Sequence, residues 1–236
     1  MNQPNTRADW IWISQGWNLF AGQWRIWVLG GLLVMLAFIV SMASLVPLWF
    51  WLMESVNEGY RYGNWLSPLL WVGVAVFLIG SVLSTFLYAG LYKMAERQLL
   101  GQPIRLEDLF SVSDRVLPLI AVQGIVFPLV LAGTFLCLIP GLVIAGLMFF
   151  ITPAVVLGKR GVVEAMRESY RLVTADTVNM IIFGFVTNLI AGSGSQVCYI
   201  GLVVSLPLSV LITTIAYFEC TRNTSAVGHL AAPRLQ

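Results

Sequence analysis

The chain has 236 residues, of which 58% are hydrophobic and 10% charged, with a formal net charge of +2. Soluble domains carry about 25% charged residues. A mean hydropathy of +0.86 therefore excludes a water-soluble fold of this size, whose interior could not hide so much apolar surface. Three cysteines and one histidine supply neither a disulfide scaffold nor a Cys/His zinc site, and so small a net charge supplies no basic face for nucleic acid. No metal and no cofactor is expected.

The fold class this predicts is all-α integral membrane. Ahead of the first apolar run, Trp10, Ile13, Trp17 and Phe20 recur at steps of three and four, and Ser14, Gln15 and Asn18 take another face. Thr6 stands at the N-cap position with Asp9 three residues on. The spacing predicts an amphipathic helix whose tryptophans suit headgroup depth. The apolar run begins after Arg25 and is far longer than a signal-peptide h-region, so it reads as a retained membrane helix.

Uncharged runs set the expected number of spans. Residues 26–53 and 62–92 each suit one helix, which needs about 20 apolar residues. Residues 116–158 and 177–218 are each long enough for two helices. The turns between them fall at Ile139-Pro140-Gly141 and at Gly192-Ser193-Gly194-Ser195. Six spans follow: 26–53, 66–92, 116–138, 141–158, 178–191 and 197–218. Together they form a single polytopic domain over residues 1–220, and residues 221–236 form a polar tail. With six spans, 12 of the 13 basic residues share one side and Arg61 is opposite. By the positive-inside rule the N and C termini are cytoplasmic.

Two further segments resemble the first amphipathic one. Residues 103–113 carry Leu106, Leu109 and Phe110. Residues 162–173 place Glu164, Arg167, Glu168 and Arg171 on one stripe and Val162, Val163, Met166, Tyr170 and Val173 on the other, the strongest amphipathic pattern in the chain. Asn18-Leu19-Phe20 with Arg25 parallels Asp108-Leu109-Phe110 with Arg115, and Gly16–Phe20 parallels Ser169–Val173. The reading is three repeats of an amphipathic helix and a transmembrane hairpin.

Leu138-Ile139-Pro140-Gly141, Thr152-Pro153-Ala154-Val155-Val156-Leu157 and the stretch from Gly161 to Val173 form a pattern familiar from bacteria. Gly90–Ala95 and Asp108-Leu109-Phe110 fit it as well. The pattern resembles an uncharacterised inner-membrane family of YciC-like proteins and the membrane domain of glycerophosphoryl diester phosphodiesterases. The resemblance implies a bacterial inner (cytoplasmic) membrane location and a fold, but no reaction. The soluble phosphodiesterase domain is absent, and no catalytic residue carries over.

Candidate functional residues are few. The expected span centres hold no Asp, Glu, Lys, Arg or His, so a proton relay or ion-coupled carboxylate is not expected. Gln123 and Asn188 are the intramembrane polar candidates, and bonding between helices is favoured over a ligand site for them. Pro128, Pro153 and Pro207 read as kinks before they read as openings to a cavity. Cys137 and Cys198 flank the two turns, and a disulfide between them could staple the hairpins, although buried free thiols are the commoner outcome. Arg25, Arg115, Lys159, Arg160, Arg167 and Arg171 are candidates for a basic ring at lipid-headgroup depth, with topology control as the favoured simpler role. Glu96, Asp108 and Asp114 read as solvated partners of Lys93, Arg97 and Arg105. His229 has no evident catalytic partner.

The function this supports is a non-catalytic scaffold, accessory subunit or lipid-organising component. Its expected partners are membrane lipids and either further copies of itself or another membrane protein. The alternative is a transporter or channel for a small, weakly charged or amphiphilic solute.

Overall fold

A computed structural model describes residues 8–46, 49–50, 53, 68–136, 138–196 and 201–231 of the chain. Within these residues the regular structure is helical, with no strand. In chain order α1 is Ile11–Gly22, α2 is Trp24–Ala43 and α3 is Pro68–Leu99; 3-10 turns follow at Leu106–Phe110 and Ser113–Arg115. Then come α4 (Val116–Leu136), α5 (Leu138–Leu147), α6 (Ile151–Val156), α7 (Val162–Thr174), α8 (Thr177–Ser193) and α9 (Leu202–Ala231).

Four helical stretches are long and apolar enough to cross a membrane: Trp24–Ala43, Trp71–Leu99, Leu106–Phe135 and Leu202–Arg222. Taking α7 and α8 as one span bent by 111° raises the number to five. The shortfall from six arises mainly between residues 138 and 158. There the expected single span is broken into α5 and α6, with turns at residues 148–150. Pro153 has no N–H to offer the preceding turn. Ser169 enters the gap from α7: its Oγ donates to the Leu147 carbonyl (2.8 Å) and accepts from the Phe150 N–H (3.1 Å). A side chain inserted into the i→i−4 ladder is a recognised cause of a helix break.

Other boundaries shift for local reasons. Ile139, Pro140 and Gly141 are not a turn but lie within the first turn of α5, where proline is tolerated. Cys137 sits between α4 and α5, and both it and Cys198 lie outside the described residues, as does Thr6. Asp9 takes over at the start of α1, its Oδ1 accepting from the Ile11 N–H (3.0 Å). The segment 221–231, expected as a polar tail, continues α9 to Ala231.

The central element is α9. Buried residues make up 72% of its most apolar stretch, against 17–33% in the other three long helices. It packs against α1, α2, α3 and α8, whereas α4 and α5 pack chiefly on each other. The α2–α9 contact depends on Gly31. A Cβ there would collide with the Val203 carbonyl oxygen and lie 2.9 Å from Pro207 Cγ. Where α1, α2 and α3 meet, buried Trp27 donates from Nε1 to Gln98 Oε1 (2.8 Å), and Gln98 Nε2 donates to the Leu19 carbonyl (2.7 Å).

The segment 103–113, expected as a short amphipathic α-helix, is two 3-10 turns instead. Its backbone lies directly against α3 at Gly90, where any Cβ would strike the Leu109 main chain. So close an approach fixes the turn by tertiary contact, overriding helical propensity. Leu109 and Asp108 are buried there.

Candidate functional site

The Lys/Arg-rich end of the bundle resolves into two clusters. In the first, Lys93, Glu96, Arg97, Asp114, Arg115 and Lys159 surround a cleft of about 410 Å³. Lys159 stands at φ 51°, a left-handed conformation uncommon outside glycine, and its carbonyl accepts from Arg115 Nη1 (3.2 Å). Lys93 pairs with Glu96 at 2.6 Å and Arg115 with Asp114 at 3.1 Å. Arg97 pairs with Asp108, whose second oxygen accepts from the Arg105 N–H (2.9 Å). Asp108 is 3% exposed. It is therefore not the solvated carboxylate expected, because the close α3 contact at Gly90 carries it inward.

The second cluster gathers Arg160, Glu164, Arg167, Glu168 and Arg171 around about 210 Å³. The expected polar stripe of α7 is divided. Glu168 is buried, bridged by Arg160 Nε at 2.8 Å and by the Tyr217 hydroxyl at 3.0 Å. The hydrogen bond and negative charge of Glu168 push the Arg160 pKa above its ordinary value, so this arginine stays cationic. Arg167 and Arg171 are exposed and form no ion pair among the described residues. The apolar stripe divides too: Val173 is buried, while Val163 and Tyr170 are exposed. Helix α7 thus meets three environments: Ala165, Ser169 and Leu172 face protein, an apolar edge is uncovered, and a basic edge is uncovered. Arg25, the remaining member of the expected ring, lines neither cluster; its guanidinium lies 5.7 Å above the Trp24 ring.

The two intramembrane amides are brought together. Gln123 on α4 and Asn188 on α8 both line a cavity of about 260 Å³ walled by α3, α4, α5, α6, α8 and α9. They do not bond between helices as expected. Asn188 Nδ2 donates to the Gly184 carbonyl of its own helix (2.8 Å). Gln123 is exposed and has no hydrogen-bond partner among the described residues. Tyr88, Tyr92, Thr152, Thr187, Ser209 and Thr213 complete the polar wall. The Tyr88 and Tyr92 rings meet edge to face with centroids 5.6 Å apart, and the Ser209 and Thr213 hydroxyls donate to the Leu206 and Ser209 carbonyls of their own helix (2.8 Å each). Among the described residues no Asp, Glu, Lys, Arg or His side chain lines this cavity.

The hydroxyl residues were the ones sequence reading passed over. Their signal was present: Tyr88/Tyr92 and Ser209/Thr213 are i,i+4 pairs, each forming one polar stripe on an otherwise apolar helix. Among the described residues no group of three or more His, Cys, Asp or Glu could hold a metal ion. Comparison with known proteins finds no matching protein family, curated protein or solved structure.

Proposed function

We propose that the chain is a non-catalytic, multi-pass protein of the bacterial inner membrane that organises lipid at its Lys/Arg-rich face. The geometry of α7 carries this reading. Its 111° bend from α8, the uncovered Val163 and Tyr170, and the unpaired Arg167 and Arg171 suit a helix lying along an anionic bilayer surface. In this reading α2, α3, α4, the α5–α6 pair, α8 and α9 make six crossings, with both termini in the cytoplasm. Each hairpin then follows an interfacial element, as three repeats would require. Ion pairing of Glu96, Asp108 and Asp114 with neighbouring cations supports a role other than acid–base catalysis. The large exposed apolar faces of α2, α3 and α4 leave room for further copies or another membrane protein as partners.

The test is lipid selectivity. In nanodiscs, spin-labelled phosphatidylglycerol should associate with the protein in preference to phosphatidylcholine. The Arg167→Glu, Arg171→Glu double variant should lose most of that preference, because each basic residue near an anionic surface is worth about 1 kcal/mol. An unchanged preference would refute the reading.

A second reading, passage of a small, weakly charged or amphiphilic solute, is favoured by one observation. The amide- and hydroxyl-lined cavity lies among apolar helices, where polar groups usually mark a pathway.

A further inference from the structure

Beside the polar cavity lies a second one of about 300 Å³, lined by Val34, Phe38, Leu202 and Leu206 on one side and Ser84 and Thr85 on another. The two cavities share Tyr88 and Gln123. One carries hydroxyls and amides among apolar side chains and the other is largely hydrocarbon, and they meet at Gln123, whose amide has no hydrogen-bond partner among the described residues.

We propose that the two cavities are one binding site for an amphiphile with an uncharged, hydroxyl-bearing headgroup and an acyl chain, the chemistry of a diacylglycerol. The polar compartment would take the headgroup and the apolar one the start of a chain. This inference gives a ligand class to the site behind the transport reading, but it concerns occupancy and does not require the ligand to cross.

Three observations select that class. First, among the described residues no Asp, Glu, Lys, Arg or His lines either compartment. A phosphate or ammonium would be desolvated there without a counter-charge, at a cost that mere hydrogen bonds do not recover. Second, Gln123 sits seven residues into α4, about 10 Å along the helix axis, where an amide in hydrocarbon needs a partner. It offers both a carbonyl acceptor and N–H donors, and a hydroxyl satisfies either. Asn188 has Oδ1 to spare, since its bond to the Gly184 carbonyl uses Nδ2. Third, the compartments together fall within the range of about 300–1,000 Å³ typical of small-molecule sites.

The test uses the full chain in nanodiscs with two diazirine-bearing probes of identical acyl chains, a diacylglycerol and the corresponding phosphatidic acid. Mass spectrometry should map diacylglycerol adducts to the walls around Val34, Phe38, Leu202 and Leu206. Phosphatidic acid should label them at least about tenfold less, the equivalent of 1.4 kcal/mol. Gln123→Leu should cut diacylglycerol labelling severalfold while leaving the thermal unfolding temperature unchanged, because Gln123 forms no hydrogen bond among the described residues. Leu206→Trp, which fills the apolar compartment, provides a second route to the same loss. Equal labelling by the two probes, or full labelling of Gln123→Leu, would overturn the proposal. A fluorescent-lipid translocation assay on the same preparation separates the two ideas. Adducts without translocation retire only the transport reading, whereas translocation without adducts at these walls retires only this site.

Discussion

The Tyr217 hydroxyl donates a 3.0 Å hydrogen bond to Glu168 Oε1. The contact ties α7 to the central helix α9, and Arg160 holds the opposite carboxylate oxygen at 2.8 Å. Removing one partner of a buried, hydrogen-bonded carboxylate costs about 1–3 kcal/mol. Tyr217→Phe should therefore lower the thermal unfolding temperature in detergent by several degrees while preserving the helix content. Arg160→Gln should be milder, because about half of the arginine side chain is exposed (51%) and its charge is screened. If both variants melt with the wild type, the bridge does not hold α7 in place.

Ser169 is fully buried (0% exposed) and fills both hydrogen-bonding vacancies of the break between α5 and α6. Ser169→Ala removes one hydroxyl but strands an N–H and a carbonyl. The expected loss is about 1–3 kcal/mol. Hydrogen exchange should rise at Phe150 more than elsewhere. Protection that remains uniform in the variant would show that the break is stabilised by something else.

At Gly90 the Leu109 backbone occupies the space a side chain would need. Gly90→Ala must push the 3-10 turn away from α3, and with it the buried Asp108 that pairs with half-exposed Arg97. Overpacking of this kind costs about 1–3 kcal/mol. The outcome to look for is reduced yield of folded, monodisperse protein. A Gly22→Ala control, where no atom lies within 4 Å of the added Cβ, should behave as wild type.

Membrane sidedness is checked by single cysteines placed at Arg167 and Arg171. A membrane-impermeant maleimide should label them in inverted inner-membrane vesicles and not in intact spheroplasts. The reverse pattern would place the basic clusters outside the cell.

Much of the fold was legible because hydrocarbon imposes a simple rule: uncharged stretches must be helical. The apolar runs anticipate α2, α3, α4 and α9 with only shifted ends. The departures are contacts made at long range. The break after Leu147 is held by a serine 22 residues further along, which no local window contains. The 103–113 segment carries a helical pattern, yet Gly90, earlier in the chain, admits its backbone and flattens it into turns. Helix α7 was anticipated as two-faced. It meets three surroundings, so Glu168 is buried while Val163 is exposed. At the candidate sites, the cations were nameable from the sequence but their grouping was not, since Arg115 and Lys159 meet only when α4 and α6 converge. Gln123 and Asn188 stand out separately in the sequence; that they share one cavity depends on six helices at once.

The placement of α9 has a consequence for biogenesis. The helix around which α1, α2, α3 and α8 are arranged is translated after all of them. In the proposed membrane setting, these four helices wait with the surface that α9 covers unclaimed until translation reaches residue 202. The hydroxyls of Ser209 and Thr213, carried on α9, can close the cavity wall only after that.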